Sequence, residues 1–390
     1  MFEALILYCG LAWRFGATLG QLSYSWLDSC IERLEHRFGP RTWAMILAAI
    51  LMIAAAIYSR PAIHTSALGT AYAQLASNPF GTAPNPVGYR ILTPLISYCI
   101  GLRGELIIVT NLLFAGLFIF LIYRYFRKVS PRPGDAFLAA ATITFSLVTL
   151  TTLYYGGYCD SLTYLIIFLM WRTRKRAVLF YLLLFLGLVN RESIAFLIPW
   201  FAFLTYQEAT SNRRWMIESV IGLSLSLGLY LVFRESMMAG RTVMYSSDFY
   251  LKPMLSDPLI WIRRSVLNWP IGLFSVFKLM WAAVVVAAVA LWQEGRRREV
   301  SSFILLLLCA GTQLAVAYDT SRLLTMGFMV MILSLDYLFK ENAGGFRKWA
   351  GWVLLGSLAV PPLYTTSEHI IVMQPLIFNL IASHVSTSIH

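Results

Sequence analysis

The chain alternates long apolar runs with short turns rich in Lys and Arg, and this alternation constrains its fold more than any other feature. A helix needs roughly 20 apolar residues to cross a bilayer, so about eleven such helices would take a little over half of the 390 residues. Only 13% of the residues are charged and 58% are hydrophobic, whereas a soluble domain is about 25% charged. The apolar residues come in solid runs rather than alternating with polar ones. The sequence predicts an all-α, polytopic transmembrane helical bundle.

Hydropathy and basic turns together predict the topology. Lys and Arg accumulate in cytoplasmic turns, and a cytoplasmic N-terminus places the most basic turns, such as Arg172–Arg176 and Arg296–Arg298, inside. We expect a cytoplasmic-face amphipathic segment at 1–41, a transmembrane domain at 42–366 and an external tail at 367–390. The predicted spans are Ala44–Ser59, Glu105–Tyr123, Ala136–Leu153, Ser161–Trp171, Ala177–Val189, Ile194–Tyr206, Ile217–Phe233, Pro270–Trp292, Ser301–Ala317, Leu323–Phe339 and Trp349–Leu363.

The remaining composition narrows the class of protein. The net charge of +12 is explained by the cytoplasmic basic turns, so nucleic acid is not expected as a partner. The cytoplasmic turns are short and contain no Gly-rich phosphate loop, which argues against an ATP-driven pump. The two longest polar connections, 60–104 and 234–269, are external. We therefore expect an integral plasma membrane protein, of a prokaryotic inner membrane, whose active face is external or periplasmic.

The first external loop has a defined path. Its segment 77–94 contains four prolines and two glycines in eighteen residues, which restrict the backbone. Leu92–Ile100 is apolar but too short to span, so we expect it in the outer interface. Tyr89 and Arg90 lie where the loop meets the membrane. A guanidinium there suits a phosphate or carboxylate partner, or it snorkels to lipid headgroups.

A second external turn, Tyr154–Ser161, joins the third and fourth spans. Its three tyrosines surround Asp160 at the membrane boundary. Asp160 is either the N-cap of the next helix or a base or metal ligand. Tyr155 is a candidate substrate contact in the same turn.

Two further turns carry charge at the predicted outer ends of spans. Asn190, Arg191 and Glu192 form the tip of a helical hairpin, where buried charge is costly unless it is paired. They form either a local ion pair or a polar centre with the acid of the preceding external turn. Asp319 and Arg322, between the ninth and tenth spans, are three residues apart and could pair locally. Lys278, inside the Pro270–Trp292 span, could pair with an acid or bind a lipid phosphate.

This layout resembles that of the GT-C superfamily of polytopic glycosyltransferases. The resemblance rests on about eleven helices, an inside N-terminus and a long first external loop with interfacial helices. It implies transfer of a sugar from a polyprenyl-phosphate donor to a glycan or lipid acceptor on the outer face, in cell-envelope glycan or glycolipid synthesis. Asp160 stands in the second external loop, where some members place an acid. Arg322 is similar in position to an arginine placed near the donor phosphate.

The chain departs from the family pattern in its first external loop. The family usually carries an acid there, but 60–104 contains no Asp or Glu. We therefore expect Asp160 first, and Glu192 second, to act as the base. A divalent metal, Mg or Mn, is compatible with this chemistry but not required. The alternatives are a transporter or flippase of a lipid-linked sugar, and a non-catalytic membrane subunit of a polysaccharide assembly. The expected substrate-binding residues are Tyr89, Arg90, Tyr155, Asn190, Arg191, Asp319 and Arg322.

Overall fold

A computed structural model of the chain is almost entirely helical. It describes residues 21–22, 24–66, 68–81, 87–209, 213–239, 255–257, 259–317, 319–341, 345–366 and 369–373. The helices are α1 (24–38), α2 (Pro40–Tyr58), α3 (Leu68–Ser77), α4 (Leu92–Cys99), α5 (Ile107–Val129), α6 (Pro133–Thr144), α7 (Leu147–Tyr154), α8 (Asp160–Thr173), α9 (Ala177–Asn190), α10 (Ile198–Ala209), α11 (Arg213–Met238), α12 (Ile260–Ser265), α13 (Trp269–Phe277), α14 (Trp281–Gln293), α15 (Arg297–Thr312), α16 (Thr320–Leu324), α17 (Met329–Glu341) and α18 (Arg347–Ala359). Short 3₁₀ segments extend or link them at Gly104–Leu106, Glu192–Leu197, Val266–Asn268, Lys278–Met280, Gln313–Ala315 and Thr325–Phe328.

The helices are those of a membrane-embedded protein. Among the described residues, six helical stretches are long and apolar enough to cross a membrane, and a seventh forms if α6 and α7 make one span bent by 47°. The predicted count of eleven is not confirmed, because α8, α9 and α10 have only 14, 14 and 12 residues. The last predicted span, Trp349–Leu363, is a 13-residue helix that ends at Ala359.

The predicted surface segment at 1–41 contains α1, while residues 1–20 and 23 lie outside the described residues. The helix is two-faced: Ile31 is buried and Trp26 is exposed. Glu35 accepts hydrogen bonds from Tyr123 Oη at 2.6 Å and Arg127 Nε at 2.9 Å, both on α5. These bonds dock α1 onto the end of the bundle where α5 finishes, which we call the basic end. The end at which α5 begins is called the site end.

The first long loop folds as two short helices at the site end. Tyr72 and Leu75 of α3 pack with Val87, Ile107 and Cys159 in a small core of their own. The eight residues of α4 are too few to cross a bilayer, as the sequence predicted. Residues 67 and 82–86 of this loop lie outside the described residues.

The predicted span Pro270–Trp292 is interrupted at Lys278. This residue has φ of 51°, a sparsely populated backbone conformation that costs a non-glycine residue roughly 1–3 kcal/mol. Its Nζ donates to Tyr58 Oη at 2.6 Å and to the Val360 carbonyl at 2.8 Å. The ammonium, expected to meet an acid or a lipid phosphate, is thus held by two uncharged oxygens at the ends of α2 and α18.

A small β-hairpin follows the last helix of this otherwise helical fold. Strand β1 (Leu363–Thr366) pairs antiparallel with β2 (His369–Val372), with Tyr364 opposite Ile371. Leu363 was expected to end a span, and β2 lies in the predicted external tail, of which 374–390 is outside the described residues. The hairpin brings Tyr364 and Thr365 back over the site end, where both are buried.

Candidate functional site

Four charged side chains meet at the site end and form what we call the aspartate cluster: Asp160, Arg191, Arg322 and Asp319. Asp160 begins α8 and is only 2% exposed. Arg191, just after α9, donates through Nη1 to Asp160 Oδ1. Arg322 on α16 donates through Nε to Oδ2 and through Nη2 to Oδ1, the latter at 3.1 Å. Asp160 is therefore the shared counter-ion of two arginines from different helices.

Asp319 lies on the more open side of the aspartate cluster. Its side chain is 23% exposed, and Arg322 Nη1 lies 3.5 Å from its Oδ2. Tyr364 of the hairpin donates to Oδ1. Three tyrosine rings line this side, which we call the tyrosine wall: Tyr155, Tyr158 and Tyr364. Tyr155 lies 4.7 Å from Tyr364 and 5.1 Å from Tyr158, centroid to centroid.

A second group, the glutamate cluster, comprises Arg90, Glu192 and Tyr72. Arg90 donates through Nε to Glu192 Oε2 at 2.6 Å and through Nη2 to Oε1, a two-pronged pair. Its Nη1 donates to Tyr72 Oη at 3.3 Å. The Glu192 side chain remains 26% exposed. Adjacent residues Arg191 and Glu192 thus reach different partners and link the two clusters.

Asn190 holds the helices that carry these charges. Its Nδ2 donates to the Cys159 carbonyl at 3.0 Å and to Thr163 Oγ1 at 2.9 Å. Its Oδ1 accepts from the Thr93 hydroxyl at 2.7 Å and the Thr93 amide at 3.2 Å. With all these bonds made and no exposed surface, Asn190 is a clamp between α4, α8 and α9.

Two glycines bring the turn before Asp160 against α3. Gly157 has φ of 89°, which favours glycine. A Cβ there would lie 2.9 Å from the Gly69 carbonyl oxygen, and one on Gly69 would lie 1.9 Å from the Gly156 carbonyl oxygen. The backbone of this turn can therefore reach α3 only because both positions lack side chains, and this contact fixes the start of α8.

Burial and ion pairing shift the two partly exposed carboxyls in opposite directions. Burial raises the pKa of Asp319 above its ordinary value, and Arg322 and the Tyr364 hydroxyl offset only part of that rise. Burial would also raise the pKa of Glu192, but the Arg90 guanidinium outweighs it and holds this pKa below its usual range. The ionised form is thus favoured at Glu192 and disfavoured at Asp319, each relative to an ordinary side chain of its own type.

The structure brings every predicted site residue to this end of the bundle. Tyr89 is buried beside the glutamate cluster, with the Arg90 and Arg234 guanidiniums 6.0 and 5.0 Å from its ring centroid. Arg191 pairs with Asp160, the acid of the preceding external turn, which is one of the two alternatives that the sequence left open. Asp319 contacts Arg322, three residues further along the chain. Burial differs sharply within the set: Asp160 and Asn190 are closed off, whereas Glu192, Asp319 and Tyr155 are partly open.

Sequence reasoning missed Tyr364, Tyr230 and Arg234. Tyr364 lies in the β-prone run Leu-Tyr-Thr-Thr. A Ser-Glu pair separates this run from a second one, His-Ile-Ile-Val, which is the pattern of a short hairpin. Arg234 lies at the predicted outer end of a span, where Lys and Arg are scarce because they accumulate on the cytoplasmic side. Tyr230 lies one helical turn before it, on the same face. Those signals were present but were not singled out.

The comparisons assign no family to the chain. A scan against protein-family models finds no match, and a search of curated proteins finds none either. In the part of the chain that the structure describes, no three His, Cys, Asp or Glu side chains are grouped so as to hold a metal ion. Function therefore has to be argued from the clusters themselves.

Proposed function

We propose that the protein is a membrane glycosyltransferase that moves a sugar from a polyprenyl-phosphate donor to a hydroxyl of a glycan or lipid acceptor. One observation carries the proposal: a partly exposed carboxylate, that of Glu192, lies at the same end of the bundle as the tyrosine wall. A carboxylate can accept the proton of an attacking hydroxyl. Aromatic rings offer flat apolar faces of the kind on which a sugar ring rests.

Glu192 is the base in this proposal, in preference to Asp160. Asp160 is closed off and neutralised by two guanidiniums, so it is suited to positioning Arg191 and Arg322. Glu192 reaches Arg90 in the first long loop. It therefore brings a carboxylate to a loop whose own residues, from 60 to 104, include no acid.

The reaction follows as one balanced displacement. The acceptor O–H gives its proton to Glu192 while its oxygen attacks the anomeric carbon of the donor sugar. The bond from that carbon to the phosphate oxygen breaks, and the polyprenyl phosphate leaves with the electron pair and a growing negative charge. Guanidiniums already fixed at this end stabilise that charge. The configuration at the anomeric carbon inverts, and no nucleotide is consumed.

The test is transfer by the purified chain in lipid nanodiscs with a panel of polyprenyl-phosphate sugars. Released polyprenyl phosphate would be measured by mass spectrometry. Glu192→Gln should slow release by about 10²–10⁴-fold, the usual range for loss of a general base. The matched control is Glu105→Gln, which removes an exposed carboxylate at the same end. Glu192→Asp keeps a carboxylate opposite Arg90. Comparing it with Glu192→Gln therefore separates the loss of the base from the loss of the ion pair with Arg90. Release in wild type that Glu192→Gln leaves unchanged would refute the assignment of the base.

A second candidate function is a non-catalytic subunit that binds a lipid-linked sugar. It is favoured by charge balance, since Arg90, Arg191 and Arg322 are each paired with a carboxylate within the chain. Such a network can be purely structural. In the same assay this candidate predicts retention of the intact donor and no release, in wild type and in Glu192→Gln alike.

A further inference from the structure

Two buried polar atoms near the end of α11 have no hydrogen-bond partner in the part of the chain that the structure describes: Tyr230 Oη and Arg234 Nε. The tyrosine is only 6% exposed. The two residues are four positions apart, so they face the same side of the helix. Buried donors are normally paired, and an orphan in a folded protein calls for a missing partner.

Both atoms face the glutamate cluster. The Arg234 guanidinium lies 5.0 Å from the Tyr89 ring centroid, and Arg90 lies 6.0 Å from it. The Tyr230 hydroxyl is within electrostatic range of Glu192, Arg234 and Arg90. With two guanidiniums and one carboxylate, these side chains carry a surplus of one positive charge. An acceptor group that fills this place should therefore be anionic.

The donors identify the chemistry of that group. A guanidinium can only donate, and a tyrosine hydroxyl donates readily to an oxygen anion. Arg90 is already committed to Glu192, whereas Arg234 keeps a free buried N–H. A phosphate, with several acceptor oxygens and a negative charge, satisfies both donors and the surplus charge.

The setting of α11 indicates that the phosphate belongs to a lipid. Only 11% of the apolar window of this helix is buried inside the protein, the smallest share among the candidate spans. Leu225, Leu229 and Val232, on the turns next to the two donors, are exposed. A phosphate held at the end of such a helix can keep its hydrocarbon chain in the bilayer.

We propose that Tyr230 and Arg234 form a phosphate subsite that binds the phosphate group of a polyprenyl lipid. The choice of a polyprenyl chain rests on the proposed function, while the choice of phosphate rests on the two orphaned donors. Tyr230 and Arg234 bind the ligand beside Glu192, and the proton transfer stays with Glu192.

The experiment measures retention of polyprenyl phosphate by the purified full chain, using native mass spectrometry and a titration in detergent. Arg234→Gln should weaken binding about 10–100-fold, as expected for one charge-assisted hydrogen bond. Tyr230→Phe should weaken it about 3–10-fold without lowering the unfolding midpoint, because the lost hydroxyl has no hydrogen-bond partner among the described residues. Arg264→Gln is the matched control: this exposed arginine also lies over an aromatic ring, that of Trp261 at 5.9 Å. Its binding should equal that of wild type.

Two further ligands decide what is recognised. Polyprenol, which lacks the phosphate, should bind at least about tenfold more weakly than polyprenyl phosphate. Equal retention of both would overturn the subsite, and so would unchanged binding in Arg234→Gln. Inorganic phosphate that competes at similar affinity would overturn the lipid as its source. If polyprenyl phosphate binds through Arg234 but no donor is ever turned over, the subsite stands and the proposed transferase fails.

Discussion

The two ends of the bundle each bury an aspartate against arginine, but they differ in how many hydrogen-bonding groups around that aspartate are left exposed or unpaired. At the basic end Asp135 has no exposed surface, and each of its oxygens accepts two bonds. The donors are Tyr24 of α1, Ser130 before α6 and Arg347 of α18, with Tyr24 and Ser130 each at 2.5 Å. At the site end, within the ranges that the structure describes, the Glu192 and Asp319 carboxylates stay partly exposed and the α11 donors Tyr230 Oη and Arg234 Nε stay unpaired.

The difference separates a clamp from a site. A charge network that satisfies itself fastens helices together and offers nothing to a ligand. A network with spare donors and reachable carboxylates costs stability until something binds. The same residue types therefore take opposite roles, and unmet hydrogen-bonding capacity is the property that distinguishes them.

The largest expected effect comes from removing the central charge at each end. Asp160→Asn and Asp135→Asn should both lower the free energy of unfolding by about 3–5 kcal/mol, the usual result of breaking a buried ion pair. Asp160→Asn should lie at the upper limit, because it removes the shared counter-ion of two arginines, of which Arg322 keeps only its 3.5 Å contact with Asp319, whereas Asp135→Asn removes the partner of one arginine. Unfolding midpoints in detergent measure the difference. Equal losses would show that the second arginine adds nothing.

A pair of glycine variants compares the backbones of the two ends. Gly157→Ala should cost about 1–2 kcal/mol for its positive φ and about 1–3 kcal/mol more for overpacking against α3. Gly295→Ala, at the basic end, should cost only the first part, since its φ is 74° and a Cβ there meets nothing within 4 Å. Thermal unfolding of the two variants tests this. A larger loss for Gly295→Ala would contradict the packing argument.

Two tyrosine variants each remove a hydroxyl that donates to an aspartate, Asp319 at the site end and Asp135 at the basic end. Tyr364→Phe and Tyr24→Phe each delete a hydrogen bond to a carboxylate, worth about 1.5–3 kcal/mol. We expect similar losses of stability at both ends, measured by denaturation. Sugar transfer should fall only in Tyr364→Phe, because Tyr364 belongs to the tyrosine wall, the proposed sugar surface. A matching fall in Tyr24→Phe would mean that transfer reports stability rather than the site.

The smallest expected effect is a shift in the acid limb of the pH profile of transfer. The pKa of Glu192 is held down by Arg90, so a reaction that uses it as base should lose its rate at lower pH than one that uses a free glutamate. Because the pKa of Asp319 is raised, a base at Asp319 would lose activity at higher pH than a free aspartate does. An acid limb above the range of a free glutamate, with stability checked at each pH, would exclude Glu192 as the base.

Much of the architecture was predictable because hydropathy and basic turns act over whole helices. The long spans at Pro40–Tyr58 and Gly104–Val129 fall where apolar runs predicted them. Charged residues at the ends of apolar runs indicated candidate site residues, because a charge placed there has to find a partner nearby. This reasoning singled out Asp160 and Arg322, but it did not predict that they pair across 162 positions in sequence.

The remainder was not predictable from patterns local to the chain. No glycine in the sequence marks the helix break at Lys278. Its positive φ goes with contacts of its ammonium to uncharged oxygens at the ends of α2 and α18, which are distant in sequence. The pairing of Glu192 with Arg90 joins segments 102 positions apart. Which charges pair, and which donors stay free, depends on how the helices come together in three dimensions.

The double pairing of Asp160 has a consequence for synthesis in the membrane. Arg191 follows Asp160 by 31 positions and Arg322 by 162, so the ribosome delivers the two partners at different times. A lone aspartate costs about 2.5–3.5 kcal/mol at the centre of an inserted helix, which is an upper limit for Asp160 in the first turn of α8. Because α8 and α9 pack as a helical hairpin, Arg191 can neutralise Asp160 as soon as these two helices have formed. Arg322 then joins an already paired carboxylate and closes the bundle around it.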